Sequence, residues 1–166
     1  KGIAACPKHF AANSQELRRT ANDSVVDERT FREIYTTGFE IAIKEGKSKS
    51  IMSSYNEVNG VYANENEHLL KEILREEWGF KGAVITDYSD HHRYMNGDQV
   101  LFAGGTLWMG GFMNDGSFAF KNEGNKAAYD QELRKAAKDI IYMYLNAVVR
   151  NQAYAEETGD RSVLKP

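Results

Sequence analysis

Leu74-Arg75-Glu76-Glu77-Trp78-Gly79-Phe80-Lys81-Gly82-Ala83-Val84-Ile85-Thr86-Asp87 runs from a helix end through a tight turn into a buried strand. Leu69, Leu70, Ile73, Leu74 and Trp78 recur at helical spacing, so they form the inner face of a helix that Asn66 can cap. Gly79 is placed for a left-handed C-terminal cap. Ala83-Val84-Ile85-Thr86 is an apolar run of strand length, and it delivers the acidic side chain of Asp87 to its carboxyl end.

The same alternation extends outward on both sides. Upstream, residues 50–54 read as a strand and residues 55–66 as an Asn- and Gly-rich loop. A longer amphipathic helix precedes them. Phe31, Ile34, Tyr35, Gly38, Phe39 and Ala42 recur at helical spacing, Thr30 with Glu33 has the pattern of a capping box, and the helix ends near Gly46. The apolar stripe reads as core. Residues 2–6, ended by Pro7, suit a first buried strand, with Cys6 a buried, inert thiol. Downstream come a loop with His91 and His92, a short helix over residues 99–103, a strand over 106–109, and a long helix from Asp130 to Val149. The polar tail from Asn151 is expected to fray.

Strand alternating with helix four times predicts an α/β fold with parallel strands and outer helices. About four βα units are the second half of a (β/α)8 TIM-type barrel, so residues 1–150 are expected to be a partial catalytic barrel and residues 151–166 a tail. In such barrels the active site sits at the carboxyl ends of the strands. Here those ends carry Lys8-His9, Tyr55-Asn56, Asp87 and Met109. Half a barrel leaves two open sheet edges, and the chain starts abruptly on its first motif, so a larger protein is expected around it.

A formal net charge of -3 offers no basic face for a phosphate backbone, so nucleic acid is not an expected partner. A single cysteine excludes an intrachain disulfide. No run approaches the roughly 20 apolar residues of a membrane span. The chain reads as soluble, with cytoplasmic and secreted placement both open. His91-His92 beside Asp90 invites a metal reading, but no third ligand at helical spacing accompanies it. The Gly104-Gly105 and Gly110-Gly111 pairs lack a phosphate-loop Lys-Ser/Thr. Neither metal nor cofactor is expected.

Four segments in order carry a resemblance. Lys8-His9-Phe10-Ala11-Ala12-Asn13, Asp27-Glu28-Arg29-Thr30-Phe31-Arg32-Glu33-Ile34-Tyr35, Met52-Ser53-Ser54-Tyr55-Asn56-Glu57-Val58-Asn59-Gly60 and the run from Leu74 to Asp87 together resemble glycoside hydrolase family 3 over most of residues 3–110. The resemblance implies a retaining exo-glycosidase of β-glucosidase type that removes terminal β-linked glucose, with Asp87 as nucleophile. It implies that Lys8 and His9 bind sugar hydroxyls in the innermost subsite, that Met52 lines that subsite, and that Tyr55 sits beside the nucleophile. A β-glucoside or oligosaccharide is the implied substrate. Lys8, as a cation near Asp87, would keep the carboxylate ionised.

Two positions depart from the family pattern. Tyr88 replaces the usual Trp after the nucleophile and would alter the leaving-group platform, while Thr106 stands where the family usually has Asp before an apolar pair. The family's acid/base comes from a separate sandwich domain, so the rest of the barrel and that domain are implied partners, in the same protein or another chain. Related activities, including β-xylosidase, arabinofuranosidase and N-acetylhexosaminidase, stay open, as does a catalytically silent half-barrel that only binds carbohydrate or assembles. A flavodoxin-like module would need a completed doubly wound sheet.

Overall fold

A computed structural model describes residues 3–88, 95–110, 125–146 and 148–164. Its strands in chain order are β1 (Asp23–Ser24), β2 (Ser50–Met52), β3 (Glu57–Val58), β4 (Val61–Tyr62), β5 (Ala83–Tyr88) and β6 (Leu107–Met109). Helix α1 runs from Glu28–Thr30 through a widened, π-type stretch, Phe31–Thr36, into Thr37–Lys44. The other helices are α2 (His68–Glu77, itself of π type), α3 (Gly97–Phe102), α4 (Lys126–Leu145) and α5 (Val148–Thr158), followed by a short 3-10 turn, Arg161–Leu164.

The main sheet has the order β2-β5-β6, all parallel, with Ser50 opposite Ala83 and Ile85 opposite Leu107. Parallel strands need crossovers, and α2 and α3 supply them. The expected first strand is replaced by one parallel bridge, Phe10 to Ser53, one segment later. Phe10 N–H donates to Met52 O at 2.8 Å, and Ser54 N–H donates to Phe10 O at 3.0 Å. Ahead of Pro7, the Ala5 carbonyl is instead taken by the hydroxyls of Ser48 and Ser50. Side-chain donors there stand in for a ladder, so Ile3 is 83% exposed and Cys6 is exposed rather than buried.

Helix α2 follows its sequence pattern. Leu69, Leu70, Ile73 and Leu74 are fully buried, the Asn66 side chain accepts from Leu69 N–H at 3.0 Å, and Gly79 is left-handed with φ +68°. Each such aliphatic side chain contributes roughly 1.5–3 kcal/mol by leaving water. The core they build includes Phe10, Ile51 and Val84, with the Phe10 ring 5.0 Å from Phe39 and 5.8 Å from Trp78.

The start of α1 differs from its expected cap. Asp27, not Thr30, caps the helix by accepting from Thr30 N–H at 3.0 Å, and Glu33 pairs with Arg29 on the surface. Of the expected stripe, Phe31 is buried and Tyr35 and Phe39 pack on the core, whereas Ile34 is 70% exposed. The tail differs too: α5 spans Val148–Thr158 where fraying was expected, with Ala155 buried.

A second small sheet, β1-β3-β4, was not anticipated. β3 and β4 form a hairpin whose central residues, Asn59 and Gly60, both have positive φ, the geometry of a type I′ turn. Asn59 also hydrogen-bonds both the N–H and the C=O of Val26 at 2.9 Å. This sheet braces the segment that leaves β2 toward Tyr55.

Candidate active site

Asp87 is the fifth residue of β5, the central strand, and it is nearly buried at 8% exposure. Its Oδ1 accepts from the N–H of Tyr88 at 2.6 Å, which fixes the carboxylate's orientation. Its Oδ2 lies 3.2 Å from Nε2 of His9. The strand is held in register at that level, because Thr86 Oγ1 accepts from Met109 N–H at 3.0 Å. The Lys8–His9 and Phe10–Ala11 peptide bonds are cis.

The sequence-derived residues gather on one rim. Met52 ends β2 opposite Ile85, and its N–H donates to Pro7 O, so Lys8 and His9 sit level with the carboxyl end of β2. Tyr88 ends β5 opposite Met109 and is 40% exposed. Lys8 is exposed, and His9 is in direct contact with Asp87. Tyr55 is buried at 5%, packed with Met95 and Val100 and flanked by Tyr62 and Trp108. His91, His92 and Asp90 lie outside the described residues.

The segment between β2 and β3 is built from buried amides. Ser54 Oγ and Asn56 Nδ2 both donate to Ala11 O, at 3.0 and 3.2 Å, and Asn56 also donates to Glu57 O at 2.9 Å. These bonds tie the chain after His9 to the chain around Tyr55, holding the two strand ends together.

Two neighbours escaped the sequence reading. The Arg19 guanidinium lies 4.5 Å from the centroid of the Tyr55 ring, a cation–π contact. The Glu65 carboxylate accepts from the N–H of Asn96. Burial raises the Glu65 carboxyl above its usual range, and the Glu57 carboxylate adds to the rise. Burial also raises the Tyr62 phenol, with Glu57 and Glu65 contributing. No local sequence signal marks Arg19 or Glu65, since their partners lie far along the chain.

Cavities of about 350 and 290 Å³ lie at the other rim, lined by residues such as Arg75, Gly82, Gly105, Thr106 and Asp139 near the amino ends of the strands. They do not touch Asp87. Among the described residues no group of three or more His, Cys, Asp or Glu could hold a metal, and no helix is long and apolar enough to cross a membrane.

Residues 1–103 match the family described as the glycosyl hydrolase family 3 N terminal domain. A beta-glucosidase of Rhizobium radiobacter is 52% identical over 92 residues, which cover 55% of this chain and 11% of that protein. An exo-alpha-(1->6)-L-arabinopyranosidase of Bifidobacterium breve is 46% identical over 94 residues, covering 56% of this chain and 12% of that one. The solved structure of beta-glucosidase 3B from Thermotoga neapolitana in complex with glycerol superposes with a TM-score of 0.79 at 40% identity, over 91% of this chain and 22% of that chain. The chain thus spans only about a tenth to a fifth of the length of these relatives.

Proposed function

The chain belongs to glycosyl hydrolase family 3, and from that premise we propose that it supplies the nucleophile side of a retaining exo-glycosidase of β-glucosidase type. Asp87 is the nucleophile in this reading. The observation that carries it is the placement of a nearly buried carboxylate at the carboxyl end of the central parallel strand, with His9 at 3.2 Å.

Asp87 attacks the anomeric carbon as the glycosidic C–O bond breaks, giving a covalent glycosyl ester. The departing oxygen takes a proton from an acid outside this chain. Water then attacks the same carbon from the opposite face, the acid's conjugate base removes the water's proton, and Asp87 leaves as carboxylate. The Tyr88 N–H on Oδ1 holds one carboxylate oxygen in place while the other lies beside His9. In this reading Lys8 and His9 hydrogen-bond hydroxyls of the terminal sugar, Met52 and Tyr55 line its pocket, and Tyr88 forms part of the leaving-group surface.

The parallel βα architecture is of TIM-barrel type, and we take this chain as roughly its second half. β6 has no strand on its outer side among the described residues, so the remaining barrel strands would pair there. The acid/base would come from a sandwich domain in the rest of the protein or in a partner chain. A pentopyranosidase is the second reading, favoured by the similarity to the arabinopyranosidase over the site-bearing residues.

The test is Asp87→Ala in the complete enzyme with an activated aryl β-glucoside. Hydrolysis should be lost. Azide entering the space of the carboxylate should restore aglycone release and give the α-glucosyl azide. A β-configured product would put Asp87 on the leaving-group side, and unchanged hydrolysis would remove it from the mechanism. The same substrates in pentosyl form separate the second reading.

A further inference from the structure

Beyond Tyr88 the chain is next described at Met95 and Asn96, and there two consecutive side chains of one loop grip it. Asn64, 1% exposed, donates from Nδ2 to Met95 Sδ at 3.1 Å. Glu65 accepts the backbone N–H of Asn96. Asn96 in turn caps α3, its side chain accepting from Asp98 N–H at 3.0 Å and from Gln99 N–H at 3.4 Å. Both gripped ends bear on Tyr55, because Met95 from the loop and Val100 from α3 pack against its ring.

We propose that Glu65 is a positioning residue for the glycosidase reaction: by holding Asn96, with Asn64 holding Met95, it fixes the Tyr55 ring beside the nucleophile. The proposal deepens the reading of Asp87 and Tyr55 as site residues and rests on it. Glu65 is half-buried, and burial together with the neighbouring Glu57 carboxylate disfavours its charge. A carboxylate held against that cost at the end of a capping loop suits an anchor. Its effect on chemistry is indirect. A ring displaced by about 1 Å no longer matches the transition state, and such misplacement can cost on the order of 100-fold in rate.

The experiment compares Glu65→Ala and Glu65→Gln in the complete enzyme, with kcat and KM normalised to active sites and thermal denaturation run alongside. Glu65→Ala should lower kcat about 10- to 100-fold while KM changes by less than about threefold. Glu65→Gln keeps an oxygen acceptor for Asn96 N–H and should recover most of kcat. A role in folding alone would lower the melting temperature and leave normalised kcat unchanged, which overturns the proposal. Equal impairment of Ala and Gln variants also overturns it. If Glu65→Ala is not recovered folded, Asn64→Ala decides, and an unchanged normalised kcat in that variant counts against positioning. Full activity in Asp87→Ala would refute the site itself, whereas an inactive Asp87→Ala beside a fully active Glu65→Ala refutes only the anchor.

Discussion

Thr106→Val tests how the central strand is held in register, at a position where the family resemblance implies Asp. The Thr106 hydroxyl accepts from Val84 N–H at 2.9 Å and donates to Val84 O at 3.0 Å, and both residues are buried. Val84 N–H points away from β2 and toward β6, so the hydroxyl replaces a ladder bond that begins only further along. Valine fills the same space without either group. Val84 O keeps the backbone N–H of Thr106 at 2.9 Å, so its loss is small. Val84 N–H is left buried without this acceptor, which costs about 1–3 kcal/mol. Thr106→Ser keeps the hydroxyl and removes one methyl, a loss of about 0.8 kcal/mol. For a domain of this size the Val change lowers the melting temperature by about 2–4 °C per kcal/mol. Urea denaturation followed by the fluorescence of Trp78 and Trp108, with hydrogen exchange at Val84 N–H, measures it. A Val variant as stable as the parent, or a Ser variant less stable than Val, would refute the reasoning.

Gly82→Ala should be severe, because a Cβ there would sit 2.0 Å from the Lys49 carbonyl oxygen, where β5 begins its pairing with β2. A loss of about 2 kcal/mol or more is expected; Gly38→Ala, whose added Cβ meets nothing within 4 Å, should instead stabilise by about 0.5–1 kcal/mol, and equal denaturation midpoints for the two would contradict both. His68 contributes a pH dependence, since hydrogen bonds to Glu72 and then Glu28 raise its pKa in the folded state. A raised folded value means that its stabilisation is fully present below the unfolded value of about 6.5 and fades as pH climbs through the higher folded value. The stability gap between the parent and His68→Gln should therefore shrink as pH rises above about 6.5, and a gap that widens with pH would show the opposite linkage.

What the sequence disclosed of the fold depended on whether one periodicity had a single reading. Helix α2 was legible because Leu69, Leu70, Ile73, Leu74 and Trp78 mark one face and Gly79 marks its end. The start of α1 was ambiguous, because Asp27 and Thr30 are both good caps; the nearer carboxylate, reaching Thr30 N–H at 3.0 Å, won. Ile34 has the spacing of a core residue, yet it lies in the widened stretch Phe31–Thr36 and is exposed. The β3–β4 hairpin carried a usable signal, Val58-Asn59-Gly60-Val61, since Asn-Gly between β-branched residues favours a type I′ turn. Residues 3–6 are apolar like a strand, but strand formation needs a neighbour, and the Ser48 and Ser50 hydroxyls occupy the Ala5 carbonyl instead.

The candidate site divides along a different line. Lys8, His9, Tyr55 and Asp87 were nameable from the alternation of elements, which placed each at an expected strand end, whereas Met52 and Tyr88 were named only by the family resemblance. Arg19 and Glu65 were not nameable, because a loop residue's partner is chosen by the folded backbone. Arg19 comes from an irregular segment and lies over the Tyr55 ring, and Glu65 reaches Asn96 only once the hairpin has turned the chain back. Local pattern therefore reports which residues the barrel presents, and long-range packing decides how firmly they are held. The contact between His9 and Asp87 joins the two levels: each residue is readable from its own motif, while their 3.2 Å separation exists only because Phe10 pairs with Ser53 and β2 with β5. A change that loosens either pairing should therefore disturb the contact between His9 and Asp87.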